Sequence, residues 1–162
     1  MSLTSGTAVA LLTALGLVVG TTGPRAQASA DPNLSTVKSL KCTFSSSTRG
    51  AWTKDGAPDP RVRMSGVLTL EMTEIDAAGG LAMLSNTAGK HDVTVQLDGR
   101  TLHFLEVSRG GRIAMTTVFA SYSTGTRLKA AHTRTDYLPI DLGTFKSEPE
   151  VSQYFGDCEA RP

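Results

Sequence analysis

The sequence has little cysteine, few aromatic residues and little charge of either sign. Two of its 162 residues are cysteine, 6% are aromatic and 19% are charged, and the formal net charge is +1. The basic residues are scattered singly, whereas nucleic-acid binding needs a clustered basic surface, so we expect no nucleic-acid partner. A hydrophobic content of 40% is typical of one globular domain and argues against disorder.

Sequence motifs of catalysis, metal binding and nucleotide binding are also missing. The three histidines, His91, His103 and His132, stand in no H-x-x-x-H spacing, and no C-x-x-C, G-x-S-x-G, G-x-G-x-x-G or P-loop pattern occurs. We therefore predict no catalytic residue, no metal and no cofactor. A zinc site built by the three histidines from different strands remains a minor alternative.

Paired carboxylates are the nearest approach to catalytic chemistry in the sequence. Glu71, Glu74 and Glu106 could supply acids for glycoside hydrolysis, but one Trp and three Tyr are few for a sugar-binding cleft. In a regular strand Glu71 and Glu74 would lie on opposite faces. A hydrolase of unknown substrate, sensitive to His132→Ala or Glu106→Ala, is accordingly a minority hypothesis.

The first thirty residues have the pattern of a signal peptide. Residues 8–20 carry no charge and are too few to cross a bilayer, and Ala28-Ser29-Ala30 supplies the small residues of a cleavage site. No Lys or Arg precedes the apolar run. We predict that residues 1–30 are removed, that residues 31–162 form a single β-rich domain, and that this domain is secreted or periplasmic. No later stretch is apolar enough for stable membrane insertion.

The two cysteines, Cys42 and Cys158, lie near the two ends of the predicted mature chain. In an exported protein they most simply form one disulfide. The bridge would close a loop of 158 − 42 = 116 residues, for which chain entropy gives a stabilisation of about 4 to 5 kcal/mol as an upper value. A nucleophilic cysteine paired with a histidine is the less favoured alternative.

Apolar residues alternate along most of the chain, which indicates half-buried strands. Residues 45–61 contain Ala51-Trp52, an Asp-Gly pair and two prolines, and we interpret them as an irregular or edge segment followed by a loop. Asp98-Gly99 predicts a type I′ hairpin turn. The predicted strands cover residues 40–44, 67–75, 81–86, 91–97, 101–107, 113–121 and 127–134.

The C-terminal part has a different pattern. Ser147 and Glu150 have the spacing of a capping box, which predicts a short helix from about Glu148 to Phe155 that stops at Gly156. The fold class is therefore all-β, a single antiparallel meander of seven to eight strands forming a small barrel or sandwich, with a short C-terminal helical turn.

Four segments resemble parts of a loose group of small exported bacterial proteins that have no established function. They are LKCTF at 40–44, TTVFA at 116–120, AAHTRT at 130–135 and SQYFGDCE at 152–159. The resemblance implies secretion and the disulfide. It implies no catalytic residues.

These observations favour a secreted, non-enzymatic binding module for a small apolar or amphipathic ligand. Candidate ligand contacts are Trp52, Met72, Met115 and His132, although methionines are more often ordinary core residues. The alternative is a secreted or surface-associated protein-interaction module with a solid core. Such a module would present a sheet face or loop, with Trp52 and the turn at residues 109–112 as contacts.

Overall fold

Strands make up most of the described chain in the computed structural model, which describes residues 33–52, 58–63, 66–108, 110–124, 126–136 and 149–161. The predicted signal peptide and its cleavage site lie outside these residues. Within the described ranges, one short 3₁₀ helix, Leu34–Thr36, precedes nine strands. The strands are β1 (Leu40–Trp52), β2 (Pro58–Arg63), β3 (Leu68–Asp76), β4 (Leu81–Asn86), β5 (Gly89–Asp98), β6 (Thr101–Val107), β7 (Ile113–Thr124), β8 (Arg127–Asp136) and β9 (Glu150–Ala160).

Eight of the nine strands close into an antiparallel barrel. The order is β1-β3-β4-β5-β6-β7-β8-β9, and β9 pairs back with β1. The remaining strand, β2, pairs with the second half of β1, beyond the segment of β1 that pairs with β3. The prediction of an all-β meander is confirmed. Of the two predicted forms, barrel and sandwich, the structure is the barrel, because β9 pairs with β1 and leaves no free edge among the eight strands.

The predicted C-terminal helix is wrong. Residues 150–160 form strand β9, which pairs with both β8 and β1. The capping-box pattern at Ser147 and Glu150 is a local signal, and two complete strand ladders outweigh it. Residues 137–148, which include Ser147, lie outside the described residues.

Two smaller predictions also need correction. Residues 45–61, interpreted as an irregular or edge segment followed by a loop, contain the second half of β1 and the first four residues of β2, in which Pro60 lies opposite Gly50. The hairpin turn between β5 and β6 is centred on Gly99 and Arg100, and of the two only Gly99 has a positive φ, 55°. That pattern fits a type II′ turn, whereas type I′ needs a positive φ at both central residues.

The disulfide lies at the seam where the first barrel strand meets the last. Cys42 and Cys158 face each other in the β1–β9 ladder, are bonded, and are both fully buried. The predicted bridge is thus confirmed. Two residues away along β9, Gly156 packs so closely on β1 that a Cβ atom there would lie 2.0 Å from the carbonyl oxygen of Thr43.

The barrel interior is apolar at one end. Side chains with under 2% exposure fill it, including Leu40, Phe44, Met72, Ile75, Leu102 and Val118. Leu34 of the 3₁₀ helix is also buried and joins this cluster. The other end of the barrel, where β1 and β8 finish and β9 begins, has a different lining. We call that other end the mouth.

Candidate functional site

Polar side chains occupy the inner face of the barrel towards the mouth. Burial alternates along each strand, and the strand registers align the inward positions of β7, β8, β9 and β1 into rows. The deepest polar row contains Thr116, His132, Tyr154 and Ser47. The next row towards solvent contains Arg134, Ser152 and Arg49, continued on β2 by Arg61. The outermost row contains Asp136, Glu150 and Ala51, continued by Asp59.

The deepest polar row is centred on His132. Its ring is 5% exposed, its Nδ1 lies 2.9 Å from the hydroxyl of Thr116, and the ring centroids of Phe44 and Tyr154 lie 5.8 and 5.7 Å away. Burial, and then the positive charge of Arg134, lowers the pKa of His132 to about 4. The imidazole is therefore neutral at pH 7, and it forms one hydrogen bond with the hydroxyl of Thr116.

Three arginine–carboxylate pairs connect the two rows above His132. Arg134 Nε lies 2.6 Å from Asp136, Arg49 pairs with Glu150, and Arg61 Nε donates to Asp59 at 2.8 Å. The hydrogen bond from Arg61 lowers the pKa of the Asp59 carboxyl. Each arginine lies one row deeper along its strand than its carboxylate, but its side chain is the more exposed of the two, 49% against 18% for Arg49 and Glu150. The same holds for the other two pairs, so a molecule at the mouth meets guanidinium donors as well as carboxylate acceptors.

Further polar contacts fix this arrangement. Arg112 Nε donates to Asp136, and Ser152 donates to Glu150 at 3.1 Å. Asp136 thus binds two arginines, and Glu150 binds one arginine and one hydroxyl. A cleft of about 280 Å³ opens beside them, lined by Arg49, Ala51, Asp59 and Arg61.

Two buried polar atoms of the described residues lack a hydrogen bond, and both lie on the inner face near the mouth. They are Nε2 of His91 and Nε of Arg134. Each has a carboxylate nearby, Glu106 at 3.0 Å and Asp136 at 2.6 Å, without the alignment that a hydrogen bond needs. Each of the two atoms therefore has a carboxylate as an electrostatic partner, although neither makes a hydrogen bond.

The four candidate ligand contacts from the sequence do not come together. Met72 is fully buried in the apolar core, Met115 lies on the outer face of β7 and Trp52 is 43% exposed at the end of β1. Only His132 lies among the polar rows. In the turn at residues 109–112, Arg112 contacts Asp136, and Arg109 lies outside the described residues.

The three histidines do not converge. His91 and His132 point inward from β5 and β8, whereas His103 lies on the outer face of β6, hydrogen-bonded to Thr101 and Thr117 at 3.0 Å each. Within the described ranges, no three His, Cys, Asp or Glu side chains group as a metal site requires.

The predicted carboxylates are also dispersed. Glu71 pairs with Lys41 on the outer face at 3.5 Å, Glu74 has a φ of 54° in an irregular part of β3, and Glu106 faces His91 inside the barrel. Across the described part of the chain, no helix has the length and hydropathy that crossing a bilayer requires.

Sequence reasoning missed most residues of the mouth. The Arg134–Asp136 pair continues the period-two pattern of Leu128, Ala130 and His132, so a longer strand would have placed both side chains inward. The inward positions of Glu150, Ser152 and Tyr154 were missed because this segment was predicted as a helix. Arg49 and Arg61 fell in the segment interpreted as irregular.

No family model matches the chain, and a search of curated proteins returns no match. Fold and site together define a class, a disulfide-closed, eight-stranded meander barrel with an apolar end and a mouth lined by arginine–carboxylate pairs.

Proposed function

We propose that the protein is an exported, non-enzymatic binding module that holds a small amphipathic ligand in the mouth of its barrel. Export is supported by the buried disulfide, because such bonds persist in oxidising compartments. Binding is supported by one observation above all. A cleft of about 280 Å³ at the mouth is lined by Arg49 and Arg61, whose side chains are 49% and 64% exposed and so accessible to a ligand.

The charge pattern of the mouth limits the chemistry of the ligand. The side chains of Arg49, Arg61 and Arg134 are each more exposed than the carboxylates with which they pair. Guanidinium donors suit carboxylate, sulfonate or phosphate groups, which they can bind through two hydrogen bonds. The polar group of the ligand is therefore anionic, or has an anionic part.

The space available limits the size of the ligand. The cleft beside Arg49 and Arg61 has a volume of about 280 Å³, which is near the lower end of ligand pockets in general. Beneath the polar rows, Phe44, Leu102 and Val118 are under 2% exposed and already fill the barrel. The apolar part of the ligand is accordingly short and lies against Ala51 and the edge of Tyr154, not deep in the interior.

A fluorescent probe with the proposed chemistry tests this site. 8-Anilinonaphthalene-1-sulfonate joins a sulfonate to aromatic rings, and we expect it to bind the folded protein with enhanced fluorescence. Arg49→Gln and Arg134→Gln should each weaken the probe's affinity by about tenfold, because each removes a charged donor worth about 1.5 kcal/mol.

Arg127→Gln is the matched control. Arg127 forms the same kind of pair, with Glu159 at 2.9 Å, but on the outer face of the barrel. The affinity of the Arg127→Gln variant for the probe should equal that of the unmodified protein. Equal affinities for Arg49→Gln, Arg134→Gln and Arg127→Gln would contradict the proposal. So would loss of binding only when lysine replaces Met115 on the outer face of β7, because the probe would then bind outside the mouth.

A further inference from the structure

The cleft at the mouth brings together charges of both signs. It is lined by Arg49, Ala51, Asp59 and Arg61, and Glu150 lies directly opposite Ala51 in the β1–β9 ladder. Arg49 pairs with Glu150, and Arg61 directs its Nε and one Nη at Asp59 at 2.8 and 2.5 Å. Two guanidinium groups and two carboxylates therefore surround one small uncharged side chain. We call these five residues the mouth cleft.

Cross-strand pairing places Ala51 at the centre of the mouth cleft. Ala51 lies opposite Glu150 on β9 and opposite Asp59 on β2, so an acidic residue stands on each side of it. Two residues deeper along the strands, Arg49 lies opposite Arg61. Residues two apart on a strand point to the same face. The open space of about 280 Å³ over Ala51 is therefore bordered by guanidinium donors and by carboxylate acceptors.

The carboxylates of the mouth cleft limit which anions can bind there. An anion that binds Arg49 or Arg61 competes for donors that now serve Glu150 and Asp59. The side chains of these two acids are only 18% and 36% exposed, so water replaces a lost arginine incompletely. A poorly hydrated charge that loses its partner is costly. A ligand that also carries a positive charge avoids this cost.

We infer that the ligand of the mouth cleft is a free α-amino acid with a short aliphatic side chain. The inference rests on the proposed function and names the class of compound that the mouth holds. The ligand carboxylate binds the guanidinium groups of Arg49 and Arg61, and the ligand ammonium group binds the carboxylates of Glu150 and Asp59. Each charged group of the cleft then keeps a partner of opposite charge.

The closeness of the opposite charges favours an α-amino acid over other zwitterions. Arg61 and Asp59 are in direct contact, as are Arg49 and Glu150, so the two charges of the ligand must also be adjacent. Carboxylates accept hydrogen bonds, and a primary ammonium group donates three. A quaternary ammonium group donates none and is usually held by aromatic rings, whereas the described residues that line the cleft include no aromatic side chain.

The volume of the cleft and the small size of Ala51 fix the rest of the ligand. A cleft of about 280 Å³ is near the lower end of ligand pockets, which suits a single amino acid. The methyl group of Ala51 offers an apolar contact at the centre of the charged groups. The side chain of the ligand is therefore aliphatic and short.

Calorimetric titration of the disulfide-bonded protein at pH 7 with three matched probes tests the inference. The probes are leucine, 4-methylpentanoate, which lacks the ammonium group of leucine, and 3-methylbutylamine, which lacks its carboxylate. We expect leucine to bind about tenfold more tightly than either analogue, because each analogue leaves one sign of charge in the cleft without a partner. All three share the aliphatic part, so a purely apolar contact would give equal affinities.

A variant of one carboxylate separates the two charges of the ligand. Glu150→Gln should weaken leucine binding by about tenfold and strengthen 4-methylpentanoate binding, because Arg49 loses its competing partner. A disturbed fold would weaken both. Glu159→Gln is the matched control, since Glu159 pairs with Arg127 on the outer face and should change neither affinity. Asp59→Asn is the second variant if Glu150→Gln loses the circular dichroism of the native fold.

Failure of the inference can be told apart from failure of the proposed function. If 8-anilinonaphthalene-1-sulfonate binds in the mouth but leucine binds no more tightly than 4-methylpentanoate, the inference is overturned and the proposed function stands. If neither the sulfonate nor leucine binds, both are overturned. An affinity for leucine that is unchanged in both Glu150→Gln and Asp59→Asn would also overturn the inference, because leucine would then bind elsewhere.

Discussion

His132 lies inside the barrel, where its charged form loses hydration and meets the positive charge of Arg134. The pKa of His132 is about 4 in the folded protein and near 6.5 in the unfolded chain, so the unfolded chain binds the proton first as pH falls. The stabilisation is present above pH 6.5 and is lost as pH falls towards 4. We expect the free energy of unfolding to be about 3 kcal/mol lower at pH 4 than at pH 7 from this group.

Denaturant unfolding at a series of pH values measures this dependence. His132→Gln has no titrating ring and should show a flatter curve between pH 6.5 and 4, whatever its absolute stability. An imidazole that titrates near pH 6.5 in the folded protein, followed by nuclear magnetic resonance, would contradict the burial of His132.

Gly156 is the position where two strands approach too closely for any other residue. Its Cβ would lie 2.0 Å from the Thr43 carbonyl oxygen and 2.7 Å from Phe44 Cα, and both are backbone atoms that cannot rotate away. We expect Gly156→Ala to lower the free energy of unfolding by about 2 kcal/mol or more, since overpacking forces the backbone apart. Gly50→Ala is the control, because its Cβ would come no closer than 4.0 Å to Val151. Equal denaturation midpoints for the two variants would contradict the close approach.

At the scale of the element, the seam between β1 and β9 depends on the disulfide. Cys42 and Cys158 join the first and last barrel strands across 116 residues. Replacing both with alanine should lower the free energy of unfolding by about 2 to 5 kcal/mol, measured by guanidinium unfolding, because the unfolded chain loses its constraint. An unchanged midpoint would show that the ladder alone closes the barrel.

Accessibility of the same bond gives a second measurement. Both cysteines are fully buried, so a thiol reductant should leave the bond intact in the folded protein and reduce it only once guanidinium opens the seam. Rapid reduction without denaturant would place the bond nearer the surface.

Strands whose inward residues are apolar could be predicted from the sequence, and strands whose inward residues are polar could not. The bounds of β4 and β6 match the alternation of apolar and polar residues. In β9 the inward residues are Ser152, Tyr154, Gly156 and Cys158, so no apolar period appears and a capping-box pattern suggested a helix. β2 contains Pro60, which an edge strand tolerates and a sequence pattern marks as loop.

At the scale of the whole molecule, closure of the barrel by the pairing of β9 with β1 determines both the fold and the position of the site residues. The meander was predictable from local turns, but the pairing of β9 with β1 is non-local and only the position of the two cysteines pointed to it. The mouth exists because that pairing brings Arg49 and Ser47 beside Ser152 and Tyr154. The alternation along β8 places His132 on the same face as Leu128 and Ala130, but it could not identify the residues of other strands that surround His132.

The most direct test of the account is the mass of the protein taken from the culture fluid of its own host, recorded under native and then under denaturing, non-reducing conditions. We predict a chain that begins at Asp31, lacks two hydrogens because of the Cys42–Cys158 bond, and carries a small compound with an anionic group that leaves on denaturation. The same compound should be absent from the Arg134→Gln variant and present on Arg127→Gln. Identical native and denatured masses for the unmodified protein would contradict the binding function, whatever the chain's first residue.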